Sequence, residues 1–221
     1  MQTTEFNAVT LKSGQKAYLC IKSVLDVILA WVGMVVLSPV FLAIILAIKL
    51  EDGWRSPVFF SQKRVGIHKT YFKLYKFRSM RLDTPHDMPT HLLKDPEQYI
   101  TKVGRFLRKS SLDELPQLWN IATGSMAVIG PRPALWNQED LIAERDKYGA
   151  NDIRPGLTGW AQIHGRDELE IAEKAARDGE YVQALGPAMD IRCFFGTIGA
   201  VLHSDGVVEG GTGAMKKRAG S

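Results

Sequence analysis

The sequence predicts an α+β, membrane-associated protein: a proline-broken apolar helical element, then a small domain of helices, some of them amphipathic, with a short β-hairpin. Three observations carry this. A charge-free run extends from Val27 through Ile48 and is interrupted at its middle by Ser38-Pro39. Two aromatic-rich, partly alternating segments, 57–66 and 70–80, flank a glycine turn. A basic amphipathic stretch, Glu97 to Lys109, leads directly into the adjacent acids Asp113 and Glu114. At 221 residues, 45% hydrophobic and 24% charged, the chain suits one domain with an appendage and can bury a core. The expected divisions are a flexible N-terminus over 1–15, the membrane element over 16–50, a larger domain over 51–205 and a flexible glycine-rich tail over 206–221.

Residues 27–48 are numerous enough to cross a hydrocarbon core about 30 Å thick at roughly 1.5 Å per residue. Pro39 removes a backbone donor and bends or breaks the helix, and the Ser38 hydroxyl can cover a carbonyl that the proline frees. Positive residues stand on both sides of the run, Lys12, Lys16 and Lys22 before it and Lys49 and Arg55 after it. That symmetry assigns no direction under the positive-inside rule. A kinked span and a re-entrant helix–break–helix hairpin both fit these residues.

Beyond the run, 57–66 reads as a strand and 70–80 as its hairpin partner, with Lys73 and either Lys76 or Arg78 on the polar face. Residues 83–96 hold three prolines and read as loop, and His86 and His91 within it lack a metal-ligand spacing. In the helix predicted over 97–109, Ile100, Val103 and Leu107 share a face and Lys102, Arg105, Arg108 and Lys109 surround it. Ser111 and Glu114 then match the S-x-x-E capping box, and capping at Asp113 would instead put Pro116 at the third helical position. Either register places both acids in a first turn, where the helix dipole favours anions. Further on, 124–130 is a short apolar segment, Pro131-Arg132-Pro133 holds a guanidinium between two restricted residues, and 138–148 reads as a charged helix. Arg154 to Arg166 concentrates glycine and arginine around Trp160, and Met189 to Leu202 is a final apolar helix opened by Asp190.

The net charge of +4 suits an anionic surface or a phosphorylated substrate. No zinc-finger spacing, basic heptad region or aromatic nucleic-acid motif is present, so nucleic acid is not an expected partner. No Walker loop or GxGxxG occurs, which sets aside P-loop and Rossmann sites. Cys20 and Cys193 form no metal or redox motif and read as reduced thiols.

Taken in order, these segments resemble the bacterial sugar transferase family, the monotopic phosphoglycosyl transferases that act on polyprenyl phosphate. The resemblance rests on the apolar hairpin with Ser38-Pro39; Pro57-Val58-Phe59-Phe60 with Gln62 and Arg64-Val65-Gly66; and Lys76-Phe77-Arg78-Ser79-Met80. It continues through Gly104-Arg105-Phe106-Leu107-Arg108-Lys109, Leu112-Asp113-Glu114-Leu115-Pro116-Gln117, Gly130-Pro131-Arg132-Pro133 and Arg154-Pro155-Gly156-Leu157-Thr158-Gly159-Trp160-Ala161-Gln162. It covers residues 16 to 210, and seven ordered signatures make it specific. Ser79 stands where threonine is common, and His164 and Asp167 where asparagines are usual. The type is the small single-domain one, with no further spans expected before the hairpin.

The resemblance implies transfer of a sugar 1-phosphate from a UDP-sugar to undecaprenyl phosphate with release of UMP, the first membrane step of glycan assembly. It implies Asp113 as the nucleophile that carries a covalent phosphosugar, Glu114 as its partner, and Mg²⁺ held by both carboxylates. Lys76, Arg108, Arg132 and Asp190 align with residues needed for activity, and Arg166 with one that holds a phosphate; Arg78, in the Lys76 signature, is a further phosphate candidate. It also implies that the hairpin is re-entrant, placing the catalytic domain on the cytoplasmic face of the bacterial inner membrane against its lipids. A homodimer is left open. The competing readings are a polyprenyl glycosyltransferase that releases UDP and a membrane-anchored scaffold with no chemistry.

Overall fold

The computed structural model describes residues 11–85, 96–165 and 169–203. The expectations of a flexible tail, of loop histidines at His86 and His91, and of a phosphate contact at Arg166 lie outside the described residues, as do residues 1–10 of the expected flexible N-terminus. Residues 13–15 of that segment are already helical, and Gln15 Nε2 donates to the carbonyls of Val182 (3.1 Å) and Gln183 (3.2 Å).

The apolar element is two helices, α1 (Ser13–Val36) and α2 (Ser38–Asp52), joined at Leu37. Backbone bonding continues across the joint, with Leu37 N to Gly33 O and Phe41 N to Leu37 O, both 2.9 Å. Pro39 has no N–H for the Val35 carbonyl, and the Ser38 hydroxyl donates to that carbonyl instead at 2.8 Å. Along α1, Lys22, Asp26 and Ala30 recur every four residues and are buried, whereas Ile21, Val24, Leu25, Ile28, Val32 and Val35 are more than half exposed. So large an apolar face is what a membrane-associated helix presents, and α1 is long and apolar enough to cross a bilayer.

Both arms of the broken helix pack on one body. Ala30 joins Leu74, Ile121 and Met126 in a buried cluster, and Trp31 meets Trp119 edge-on at 6.0 Å between ring centroids. Ile44 and Ile48 of α2 pack with Val58, Phe77 and Leu107. Leaving α2, Lys49 Nζ donates to the carbonyls of Trp54 (2.6 Å) and Ser56 (2.7 Å), closing the turn at Gly53.

The hairpin follows as expected: β1 (Phe59–Val65) pairs antiparallel with β2 (Tyr71–Phe77), Phe60 opposite Lys76 and Lys63 opposite Lys73. The odd spacing sends Lys73 and Lys76 to opposite faces, and Arg78 lies past the end of β2. Neither alternative of the sequence reading, Lys76 or Arg78 beside Lys73 on one strand face, is therefore what forms. The helix expected over 97–109 is shorter, α3 (Lys102–Lys109), with a separate single turn at Pro96–Tyr99. Its start is fixed by Thr101, extended in backbone and accepting from Gly104 N at 2.9 Å. It is also fixed by Glu51 of α2, whose two carboxylate oxygens accept from the backbone N–H of Lys102 (2.7 Å) and Val103 (2.8 Å).

After α3 the capping box does not form. Ser111 lies in the left-handed region (φ 56°), which an N-cap residue does not adopt, and Leu112–Glu114 make a tight 3-10 turn. Pro116 cannot donate to the Leu112 carbonyl, which accepts from Leu115 N at 3.3 Å instead, and α4 (Gln117–Ala122) begins only beyond the proline. The apolar segment at 124–130 becomes β3 (Ala127–Ile129), and the charged helix is α5 (Glu139–Asp146). β4 (Gly156–Thr158), parallel to β3, the short α6 (Trp160–Ile163) and α7 (Ile171–Gln183) have no counterpart in the sequence reading. Arg145 of α5 and Asp178 of α7 form a buried pair at 2.6 Å, and removing one partner of such a pair typically costs about 3–5 kcal/mol. The final helix, α8 (Pro187–His203), completes a core of Ile129, Ile153, Tyr181, Val182, Met189 and Cys193.

Burial, with the Asp190 charge beside it, pushes the Cys193 thiol up to about 12, while Cys20 is exposed. A thiol whose pKa lies that far above the medium holds almost no thiolate at pH 8. Maleimide at pH 8 should therefore modify Cys20 in the native protein and Cys193 only after denaturation. Equal native labelling of both, read by peptide mass, would contradict the packing of α8.

Candidate active site

Four segments converge on the two acids. The left-handed Ser111 turns the chain off α3 and sets Asp113 and Glu114 in the tight turn, with Asp113 only 7% exposed. From β2, Lys76 Nζ reaches Glu114 Oε1 at 2.8 Å and Asp113 Oδ2 at 3.6 Å. From the loop after β3, Arg132 straddles the Glu114 carboxylate, Nη2 to Oε1 at 2.7 Å and Nη1 to Oε2 at 3.5 Å. Arg108, in the last turn of α3, adds positive charge that acts on Asp113.

The Arg132 loop is held from both sides. Arg64 of β1 donates through Nη1 to the Pro133 carbonyl (3.0 Å) and through Nη2 to Gln62 Oε1 (2.7 Å), and Val65 N donates to the Ala134 carbonyl (2.9 Å). On the other side β3 and β4 come so close that a side chain at Gly130, Gly156 or Gly159 would strike backbone atoms. Rigid display makes the guanidinium a two-pronged donor.

The environment splits the two acids. Burial alone would raise both. At Glu114 the charges of Arg132 and Lys76 and their hydrogen bonds overcome burial and hold the carboxyl well below the ordinary range. At Asp113 burial wins over Lys76, and the neighbouring Glu114 charge adds to it, so this carboxyl is raised. One acid is thus a fixed anion and the other the more basic oxygen, a division typical of catalytic pairs.

Two other residues singled out in the sequence stand elsewhere. Arg78 is a buried staple, Nη2 on Asp52 and Nε on the Pro57 carbonyl, both at 2.7 Å, and it ties the end of α2 to β2. Asp190 accepts from the hydroxyls of Tyr18 and Tyr181, each at 2.7 Å, and pairs with Lys22 at 2.9 Å, which anchors α8 to α1. Burial and the Asp190 charge raise the Tyr181 phenol far above its ordinary value, so it remains a donor. Among the described residues no group of three or more His, Cys, Asp or Glu could hold a metal ion. A cavity of about 170 Å³ lies beside α1 and is lined by Leu19, Ile129, Arg154 and Tyr181 among others; none of Lys76, Asp113, Glu114 and Arg132 lines it. Sequence reasoning missed Asn120 and treated Gln62 and Arg64 only as parts of a signature; an asparagine set among the apolar residues Leu118, Trp119 and Ile121 and an alternating Gln-x-Arg on one strand face were the available signals.

With this geometry in place, comparison with known proteins agrees. The family model for bacterial sugar transferases matches residues 17–204, so the chain belongs to that family and is a transferase. A sugar transferase of Bacillus subtilis, EpsL, of uncharacterized function, is 40% identical over 170 residues, covering 77% of this chain and 81% of the relative. The UDP-glucose:undecaprenyl-phosphate glucose-1-phosphate transferase of Escherichia coli is 39% identical over 180 residues, 78% of this chain but only 38% of that protein. The exopolysaccharide production protein ExoY of Rhizobium meliloti is 37% identical over 195 residues, 82% of this chain and 85% of the relative.

Arg132→Lys keeps the charge but loses the fork that straddles Glu114. Turnover should fall about 10²–10³-fold, as when one preorganised donor is removed, while stability changes by no more than about 1 kcal/mol because the side chain is partly solvated. Steady-state kinetics with a thermal melt on the same preparation checks both, and near-normal turnover would show that the fork is dispensable.

Proposed function

We propose that the protein transfers a sugar 1-phosphate from a UDP-sugar to undecaprenyl phosphate, releasing UMP, through a phosphosugar carried on Asp113. The observation that carries this reading is the split pair: a raised, buried Asp113 next to a Glu114 held anionic, with Lys76, Arg108 and Arg132 around them. The names of the E. coli relative and of an Aeromonas hydrophila N-acetylgalactosaminephosphotransferase acting on undecaprenyl phosphate support the reaction type.

In the first step an Asp113 carboxylate oxygen attacks the sugar-bearing phosphorus. The bond from that phosphorus to the bridging oxygen breaks, and UMP leaves with the electron pair. In the second, a phosphate oxygen of undecaprenyl phosphate attacks the same phosphorus, the acyl phosphate bond breaks, and the Asp113 carboxylate is restored. Dividing the transfer in this way avoids direct attack of one phosphate anion on another. Lys76, Arg108 and Arg132 answer the charge that builds on the transferring group.

Asp113 and Glu114 are the residues that would hold Mg²⁺. Two adjacent carboxylates suit a cation that keeps several waters and takes its other ligands from substrate phosphates. When bound it would supply charge neutralisation at the diphosphate. Lys76 and Arg132 supply positive charge to Glu114 by themselves.

The broken helix is read as re-entrant, both ends on the cytoplasmic side of the bacterial inner membrane. Support comes from the joint at Leu37, from the packing of both arms on one body, and from positive residues on both flanks. In intact cells a cysteine at Thr4, in a cysteine-free background, should resist a membrane-impermeant thiol reagent; labelling from the periplasm would sink the re-entrant reading.

Asp113→Asn keeps the shape and loses the nucleophile, so turnover should drop by roughly 10³-fold or more while the melt is retained. Given a UDP-sugar from a panel and Mg²⁺ without the acceptor, the unaltered protein should release at most about one UMP per site and gain the mass of a sugar phosphate on the Asp113 peptide. Absence of the adduct, with kinetics requiring both substrates together, would leave the acids as metal ligands or base. Release of UDP rather than UMP would favour the glycosyltransferase reading.

A further inference from the structure

We propose that Asn120 is a positioning residue for Lys76: its side-chain amide takes the place of a neighbouring strand along the free edge of β2 and thereby sets the ammonium group against the two acids. This rests on the transferase reading above.

In an antiparallel pair every second residue turns its N–H and C=O away from the partner strand. On β2 the groups turned away from β1 include the N–H of Tyr75 and the carbonyl of Lys73. Asn120 answers both. Its Oδ1 accepts from Tyr75 N at 3.0 Å and its Nδ2 donates to Lys73 O at 2.7 Å. A strand lying alongside would offer the same acceptor and donor, and only a side chain carrying both can do so in its place. The amide is 2% exposed, so water does not substitute for it. The residue between the two bonds, Leu74, is clustered with Ile121, which follows Asn120 on α4.

The position of this latch gives it consequence. Tyr75 immediately precedes Lys76, and α4 follows directly on the turn that holds Asp113 and Glu114. The chain of links from the acids along α4 to Asn120, across to β2, and back through Lys76 Nζ to Glu114 Oε1 at 2.8 Å is closed. Packing of Leu74 with Ile121, and of Phe77 in the cluster that Leu112 and Leu115 border, also joins β2 to this segment; the amide adds the directional link that fixes the backbone just before Lys76. The Asn120 carbonyl also accepts from Ser125 N (2.9 Å) and Met126 N (3.1 Å), which turns the chain into β3 and toward the Arg132 loop. One residue therefore indexes both strands that deliver cations to the site.

The test is a double-mutant cycle in membrane preparations, using UMP release from whichever UDP-sugar of a panel the unaltered protein turns over with undecaprenyl phosphate. Asn120→Ala should lower kcat about 10- to 100-fold, the loss expected for small misplacement of a reacting group, with the donor KM little changed. In a Lys76→Met background the same substitution should lower kcat no further. Asn120→Asp, which keeps the acceptor for Tyr75 and loses the donor to Lys73, is run through the same cycle in case the alanine variant does not accumulate. Losses that multiply in the double variant, or full turnover by Asn120→Ala, would overturn the assignment, because a merely structural residue acts independently of Lys76. Hydrogen exchange on the peptide containing Tyr75 gives a second reading that needs no substrate: faster exchange there in Asn120→Ala is expected, and unchanged exchange overturns the latch. Failure of every UDP-sugar to yield UMP with the unaltered protein would instead strike the transferase reading.

Discussion

The structure depends on keeping one buried carboxylate ionised. Glu114 lies where burial disfavours its charge, and it stays charged only because Lys76 and Arg132 both reach it. Those cations come from segments far apart in the chain, a strand of the hairpin and a proline-flanked loop. Each supporting feature, from the Arg64 grip on the Pro133 carbonyl to the Asn120 amide on β2, serves to hold them in reach. Asp113, one residue away, inherits the opposite environment without needing any distinct fold element.

The membrane element and the turn that carries the two acids are mechanically continuous. Glu51 at the end of α2 accepts from the first amides of α3, and α3 runs directly into the turn that carries the acids. Arg78, whose sequence position beside Lys76 suggested a role with phosphate, reinforces the same junction by holding Asp52. A basic residue two positions from a lysine that reaches the acids can thus belong to the frame while that lysine belongs to the cluster.

What was legible in the sequence was local. The helix break follows from the missing N–H of Pro39, and the Ser38 hydroxyl is found on the carbonyl that chemistry requires. The hairpin was visible in aromatics around a glycine turn, and Arg132 in the rigidity of its prolines. The register of the turn that carries the acids was misread because S-x-x-E is a pattern, and a pattern does not carry the left-handed backbone of Ser111 that defeats it. The parallel pairing of β3 with β4, the helix α7 and the partners of Asp190 depend on contacts between residues distant in sequence, which leave no periodic trace.

The buried cluster at Lys22 has a bearing on biosynthesis. Tyr18 and Asp190, which it unites, are 172 positions apart, so Asp190 leaves the ribosome long after Tyr18 has done so. Until then α1 must carry a lysine and an aspartate beside its most apolar stretch. Lys22 and Asp26, one turn apart and within 3.2 Å, can neutralise each other inside the helix during that interval. α1 is therefore provisioned to wait, and α8, made later, closes the assembly.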